Sequence, residues 1–362
     1  MIPFLDLKPG PDAADVRAAI DRVIARGWFV LGPELEAFEA EFASASSTTY
    51  AVGVGTGTDA LALALRALDV GPGDEVITSP LSAAYSALAI MMVGARPVFA
   101  DIDADRLTLD PRAAAAAVTR HTKALMPVHL YGQPADMPAL TAVAERHHLA
   151  LVEDCCQAHL ATCLGQPVGS FGHAAAYSFY PTKNLAALGD AGAVTTRDER
   201  LASRVRRLRN GGQTDRYHHG EFGVNSRLDE LQAAVLRARL PWLPRWTKER
   251  RALAAAYRER LAQAPLIVPP ECDAGHVYHL FPVLSGDRDA LQSHLRARGV
   301  ETLIHYPVPI PHQPALASEQ PADCPVTNRV CNQVLSLPLH PGLTPQTIDE
   351  VAAALHGFHA AV

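Results

Sequence analysis

Leu149-Ala150-Leu151-Val152-Glu153-Asp154 is a run of strand length without alternating polarity that breaks off on two carboxylates. A strand with no polar face belongs in a sheet covered on both sides, because one wet face would place a polar residue at every second position. Similar runs flank it at residues 50–54, 75–78, 97–100, 124–129, 174–179 and 191–195. Stretches of helical period lie between or after them, at 58–68, 138–147 and 199–209. This alternation predicts an α/β fold with a mainly parallel central sheet and helices on both faces. Ligands of such sheets sit at the carboxyl ends of the strands, where Glu153 and Asp154 fall.

Working outward, Leu35, Phe38 and Phe42 recur at i, i+3 and i+7 after the Gly32-Pro33 break and predict an amphipathic helix. A helix over 228–240 is expected to stop at Pro241, and another is expected over 248–261 after a segment holding Trp242, Pro244 and Trp246. Beyond Pro269-Pro270 the pattern changes to a strand (277–283), a helix (287–298), a strand (300–303) and a final helix (345–355). This shift predicts a large domain over 1–245 and a smaller C-terminal α+β domain over 246–362.

The chain has 362 residues, 48% of them hydrophobic and 19% charged, with a formal net charge of −6. That balance argues against a nucleic-acid binder, which would carry a basic excess. The cluster Arg204, Arg206, Arg207 and Arg209 has the spacing of a solvated helix face. The cysteines at 155, 156, 163, 272, 324 and 331 form no CxxC pair, so neither a zinc site nor a disulfide framework is expected and a reducing compartment is. No stretch approaches the ~20 apolar residues that span a bilayer, so no membrane partner is expected. Residues 2–10 hold Asp6, Lys8 and two prolines in place of the apolar run of a signal peptide, and the expected location is the cytoplasm.

Three features carry chemistry. Gly55-Thr56-Gly57-Thr58-Asp59 follows a strand and opens a helix. Glycines allow close backbone approach, and a helix start offers unpaired N–H groups to a phosphate. The same residues suit an ordinary capped helix start, since Thr and Asp are common N-caps. The second feature is Asp154, whose carboxylate at a strand end can hold a pyridinium nitrogen protonated; a helix cap or a metal ligand would use the same residue. The third is Ser178-Phe179-Tyr180-Pro181-Thr182-Lys183-Asn184. Lysines are usually solvated, but Lys183 lies between an apolar strand and the apolar residues 185–188, surroundings that lower an amine's pKa and suit it to Schiff-base chemistry.

Together these residues resemble the DegT-type sugar-nucleotide aminotransferases, a branch of the fold type I pyridoxal 5'-phosphate (PLP) enzymes. The resemblance runs from Ile2-Pro3-Phe4-Leu5-Asp6-Leu7 through residues 27–34, 127–136 (PVHLYGQPAD), 153–159 (EDCCQAH), 178–183 and 225–232 (NSRLDELQ) to Ile304-His305-Tyr306-Pro307. It implies that Lys183 holds PLP covalently and moves protons, and that Asp154 pairs with the pyridinium nitrogen. Gln157 would lie near the ring hydroxyl. Gly57, Thr58 and Ser178 would bind the cofactor phosphate, with Asn225 completing the site from a second subunit of a homodimer. Arg216 and Arg227 are implied for the substrate's diphosphate, and His305 and Tyr306 for its sugar or nucleotide end. Transfer would run from L-glutamate to a nucleotide-linked keto sugar, with pyridoxamine 5'-phosphate carrying the amine between the two halves.

One departure stands out. Family members carry an aromatic residue after Pro-x-[ST], which stacks on the pyridine ring, but Pro80-Leu81-Ser82 is followed by Ala83; Tyr85 is the nearest substitute. Residues 127–136 and Gly189-Asp190-Ala191-Gly192 resemble the 3-amino branch, implying a dTDP-3-keto-6-deoxyhexose acceptor. A 4-keto sugar aminotransferase, a pyridoxamine-dependent dehydratase and a non-catalytic regulator share the fold. Dehydratases have histidine in place of the lysine, so Lys183 speaks against that reading.

Overall fold

The absence of a polar face along each run is explained by two hydrophobic cores on opposite sides of one sheet. In the computed structural model, which describes residues 1–316 and 322–358, seven strands form it: β1 (Tyr50–Val54), β2 (Glu75–Thr78), β3 (Arg96–Phe99), β4 (Thr122–Met126), β5 (Ala150–Asp154), β6 (Ala174–Ser178) and β7 (Gly192–Thr196). Their spatial order is β1-β7-β6-β5-β4-β2-β3. β6, β5, β4, β2 and β3 are parallel neighbours, whereas β7 runs antiparallel to both β1 and β6. Side chains alternate between the cores: Ile77, Leu125, Leu151, Ala175 and Tyr177 face one, Val76, Ala124, Val152, Ala174 and Ala176 the other.

The helices that cover these faces are α1 (Ala13–Arg26), α2 (Pro33–Ala45), α3 (Gly57–Ala67), α4 (Tyr85–Met92), α5 (Pro111–Ala116), α6 (Met137–His147), α7 (Glu199–Leu208) and α8 (Glu230–Arg239). On α2, Leu35, Phe38 and Phe42 are buried as their spacing predicts, and Phe42 meets Tyr177 and Phe179 edge-on. The buried Glu230 carboxylate accepts hydrogen bonds from the backbone N–H groups of Gly32, Glu34 and Leu35, tying the start of α2 to α8. The four-arginine cluster on and just after α7 is only partly solvated. Arg209 is buried, pairing with Glu39 and donating to the Gly53 carbonyl at 2.7 Å.

Three later expectations need correction. Pro241 ends α8, but a 3-10 turn (Leu240–Trp242) leads directly into α9 (Leu243–Arg260), so the helix begins five residues earlier than expected and the 245/246 boundary falls inside it. Pro244 sits in the first turn, where the missing N–H has no intrahelical partner to lose. The strand expected over 277–283 is confined to β8 (Phe281–Leu284), which pairs antiparallel with β9 (Val334–Leu337). The strand expected over 300–303 is reduced to single bridges at Val300 and Leu303. With α9, α10 (Arg288–Ala297) and α12 (Pro345–His356), β8 and β9 form a C-terminal core, while α11 (Pro325–Gln333) and the inner ends of both strands join a second core with Leu81, Ile102, Val128 and Tyr131 of the first part of the chain.

Candidate active site

The carboxyl ends of β5 and β6 meet the start of α3 in a pocket of about 580 Å³. Asp154, the last residue of β5, is buried there; Oδ2 accepts from Ser86 Oγ at 2.9 Å and Oδ1 from the Cys156 N–H at 3.1 Å. Ser86 comes from α4, which had no sequence signal beyond its apolar composition, and its role could not have been read from spacing.

At the start of α3 the glycine turn is a capped helix start that also borders the pocket. Thr56 caps the helix by accepting from the Asp59 N–H at 3.0 Å, while Gly57 and Thr58 line the pocket. A Cβ on Gly57 would lie 2.6 Å from Ser178 Cβ and 3.0 Å from Cys156 Sγ, and one on Gly192 would lie 2.3 Å from the Thr56 carbonyl oxygen. Both glycines are therefore required for α3 to approach the ends of β6 and β7. Ser226 ties the turn down, its Oγ accepting from the Gly55 N–H at 2.9 Å and donating to Asp59 at 2.7 Å.

Lys183 follows β6 in a turn closed by its N–H donating to the Tyr180 carbonyl at 2.8 Å. Burial pulls its amine below the ordinary lysine pKa, against the opposing pull of Cys156 and Asp154. Gln157 Oε1 accepts from the Tyr131 N–H at 2.7 Å and Nε2 donates to Tyr306 Oη at 3.1 Å, which brings Tyr306 onto the pocket wall.

His159, from the EDCCQAH segment, is buried outside the pocket lining and supports the end of β6. Its Nε2 donates to the Ser178 carbonyl at 2.9 Å, while Nδ1 is buried without a partner. Burial, with the nearby Lys183, lowers its pKa to about 3, so the ring is neutral.

Not every expected residue reaches the pocket of a single chain. His305 lies outside it, stacked on Phe4 with Nδ1 3.0 Å from Ser336 Oγ. Asn225 is exposed and bridges Asn210, whose side-chain oxygen accepts from Arg227 at 3.0 Å. Arg216 is exposed, 5.2 Å over the Tyr217 ring. Ala83 and Tyr85 both line the pocket, and Tyr85 is 62% exposed at the start of α4.

His129, Glu153 and Cys155 offer metal-type ligand atoms within 4.8 Å of one another, but hydrogen bonds already engage the first two. Glu153 accepts from the N–H groups of Gly169, Phe171 and Gly172 and from His129 Nε2, while His129 Nδ1 accepts from the Ala135 N–H. The cluster acts as a strut that fixes the end of β5.

The donor set fits PLP: an amine of lowered proton affinity, a buried carboxylate in the same pocket, and a glycine approach at a helix start beside Ser178. A sheet of this topology with that site defines the α/β aminotransferase class. The profile of the DegT/DnrJ/EryC1/StrS aminotransferase family matches residues 12–356, and the chain belongs to that family. It is 50% identical over 359 residues to a dTDP-3-amino-3,4,6-trideoxy-alpha-D-glucose transaminase of Streptomyces venezuelae, covering 97% of this chain and 95% of that one. It is 48% identical over 360 residues to the erythromycin biosynthesis sensory transduction protein EryC1 of Saccharopolyspora erythraea, with 98% of each chain covered. The X-ray structure of S. venezuelae DesV in complex with a ketimine intermediate superposes with a TM-score of 0.97 at 49% identity, over 100% of this chain and 99% of that one.

Proposed function

We propose that this aminotransferase moves an amino group from L-glutamate to a nucleotide-linked 3-keto sugar, a dTDP-3-keto-6-deoxyhexose, using PLP. The observation that carries the reading is the placing of Lys183 and Asp154 on one pocket; the 50% identity to a 3-amino-sugar transaminase supports the acceptor class.

When bound, PLP supplies an electron sink for the carbon that loses its proton. Asp154 would hold the ring nitrogen positive, oriented by Ser86, and Gln157 would lie beside the ring hydroxyl. Gly57, Thr58 and Ser178 would take the phosphate at the start of α3. Lys183 would hold the group and then, released, move a proton at its Nζ; its lowered pKa keeps more of the amine in the proton-accepting form. Tyr85 offers an aromatic face where Ala83 has none.

The remaining residues support a homodimer with shared sites. Asn225, Arg216 and Arg227 lie outside their own chain's pocket, where a partner could use them for the cofactor phosphate and the substrate diphosphate, with His305 and Tyr306 toward the sugar or nucleotide. Trp28, Phe29, Met91 and Met92 expose apolar surface suited to subunit contact. Among the described residues no helix is long and apolar enough to cross a membrane; a cytoplasmic location is part of this proposal.

Incubation with glutamate and paired 3-keto and 4-keto nucleotide sugars, followed by NMR of the products, tests the reading. Amination at C3 is expected. Amination only at C4 would refute the acceptor assignment, and binding without turnover would favour the sensory role in the Saccharopolyspora relative's name.

A further inference from the structure

Three arginines are buried among the described residues: Arg209, Arg239 and Arg250. Arg209 pairs with Glu39, and Arg239 pairs with Asp12 at 2.7 Å. Arg250 on α9, 5% exposed, has no carboxylate within ion-pair reach among the described residues. Its Nη1 donates to the carbonyls of Leu339 at 2.8 Å, Tyr278 at 3.2 Å and His279 at 3.4 Å, and its Nε is buried without a partner. Carbonyl dipoles solvate a guanidinium, but they do not neutralise it, and a buried cation without a counter-charge is costly.

Arg250 lines a second cavity, of about 270 Å³, at the seam between the Lys183 turn, residues 5–12, α9 and residues 340–342. Its wall also includes Lys8, whose amine makes no ion pair among the described residues, and His340, whose buried Nε2 has no partner. The acidic side chains there include Asp12, held by Arg239, Glu249, held by Arg245, and Asp6, which accepts from the Lys8 N–H. Thr182 and Lys183 line both this cavity and the 580 Å³ pocket. His279, bonded to Asn184 at 3.3 Å, lies within electrostatic reach of both Lys183 and Arg250.

We infer that this seam cavity receives a carboxylate of the amino donor, with Arg250 as its buried counter-charge and Lys8 at its mouth, so that the donor's amine is presented on the Lys183 side. The inference rests on the aminotransferase reading above and adds to it a donor subsite separate from the groups proposed for the nucleotide sugar. A dicarboxylic donor suits a small cationic cavity, whereas a nucleotide sugar needs the larger pocket.

The test uses the holoenzyme and glutarate, a dicarboxylate with no amine to transfer, followed by titration calorimetry. Arg250→Met is expected to raise the glutarate Kd and the glutamate KM about tenfold or more, as loss of a charge-assisted contact should, while the keto-sugar KM changes less than about twofold. Folded Arg250→Met that keeps the wild-type glutarate Kd overturns the inference, whatever its melting temperature. If that variant does not fold, Lys8→Ala decides, because the residue is exposed and holds no structural bond through its amine. A rise of about threefold in glutarate Kd supports the site and an unchanged Kd overturns it. Failure of the aminotransferase reading would look different: wild-type enzyme would transfer no amine from glutamate to either ketone.

Discussion

Ser86 on α4 reaches across the pocket floor to donate a 2.9 Å hydrogen bond to Asp154 at the end of β5. The bond is buried and its acceptor is a carboxylate, which places it among the stronger hydrogen bonds at about 1.5–3 kcal/mol. Ser86→Ala should therefore free one Asp154 oxygen and weaken PLP binding about tenfold. Equilibrium dialysis of apoenzyme against PLP measures this, and an unchanged affinity would remove Ser86 from the site's working parts.

Gly57→Ala is expected to be worse than its single methyl group suggests. The new Cβ would lie 2.6 Å from Ser178 Cβ, and neither the helix start nor the end of β6 can yield without moving the proposed phosphate contacts. Overpacking of this kind costs about 1–3 kcal/mol. The variant should lose that much stability in urea melts and bind PLP at least about tenfold more weakly. A Gly57→Ala protein with wild-type affinity would show that the phosphate does not use this approach.

Much of this site is legible in the sequence, because strand ends are marked by composition. The apolar run 149–152 announces the carboxylate that follows it, and the run 174–179 announces Lys183. Ser86 and Arg250 were not legible in their places, because a hydrogen bond between distant elements leaves no periodic trace. The failed strand at 300–303 has the same root. Val300, Thr302 and Leu303 suit a strand there, but among the described residues the backbone bridges only at Val300, with Ile2, and at Leu303, with Ser336. Pairing depends on neighbours that local sequence does not name.

Acid should unfold the protein through its buried histidines. His159 and His276 are held near pKa 3 by burial, against an ordinary value of 6.5. Each lowered pKa favours the neutral ring in the fold, so the contribution is fully present above pH 6.5 and is lost as pH falls toward 3. By pH 4 the loss is roughly 3 kcal/mol for each ring. Urea melts between pH 7 and 4 should show this decline, with a shallower slope in His276→Gln. Parallel slopes for the two proteins would contradict the assignment.

The proton affinity of Lys183 offers the most direct check on how the site works. Burial lowers its pKa while Cys156 and Asp154 raise it, so the negative charge of Asp154 is one of two brakes on deprotonation. Asp154→Asn removes that charge with little change of shape, and the amine should then lose its proton at a still lower pH. The chain has only four lysines, so 13Cε resonances of the apoenzyme can be followed by NMR and the one belonging to Lys183 identified by its absence in Lys183→Arg. The wild-type resonance should titrate below 10.5, and that of Asp154→Asn lower again. An upward displacement in Asp154→Asn would mean that the carboxylate does not act on the amine, and the shared pocket would lose its chemical meaning.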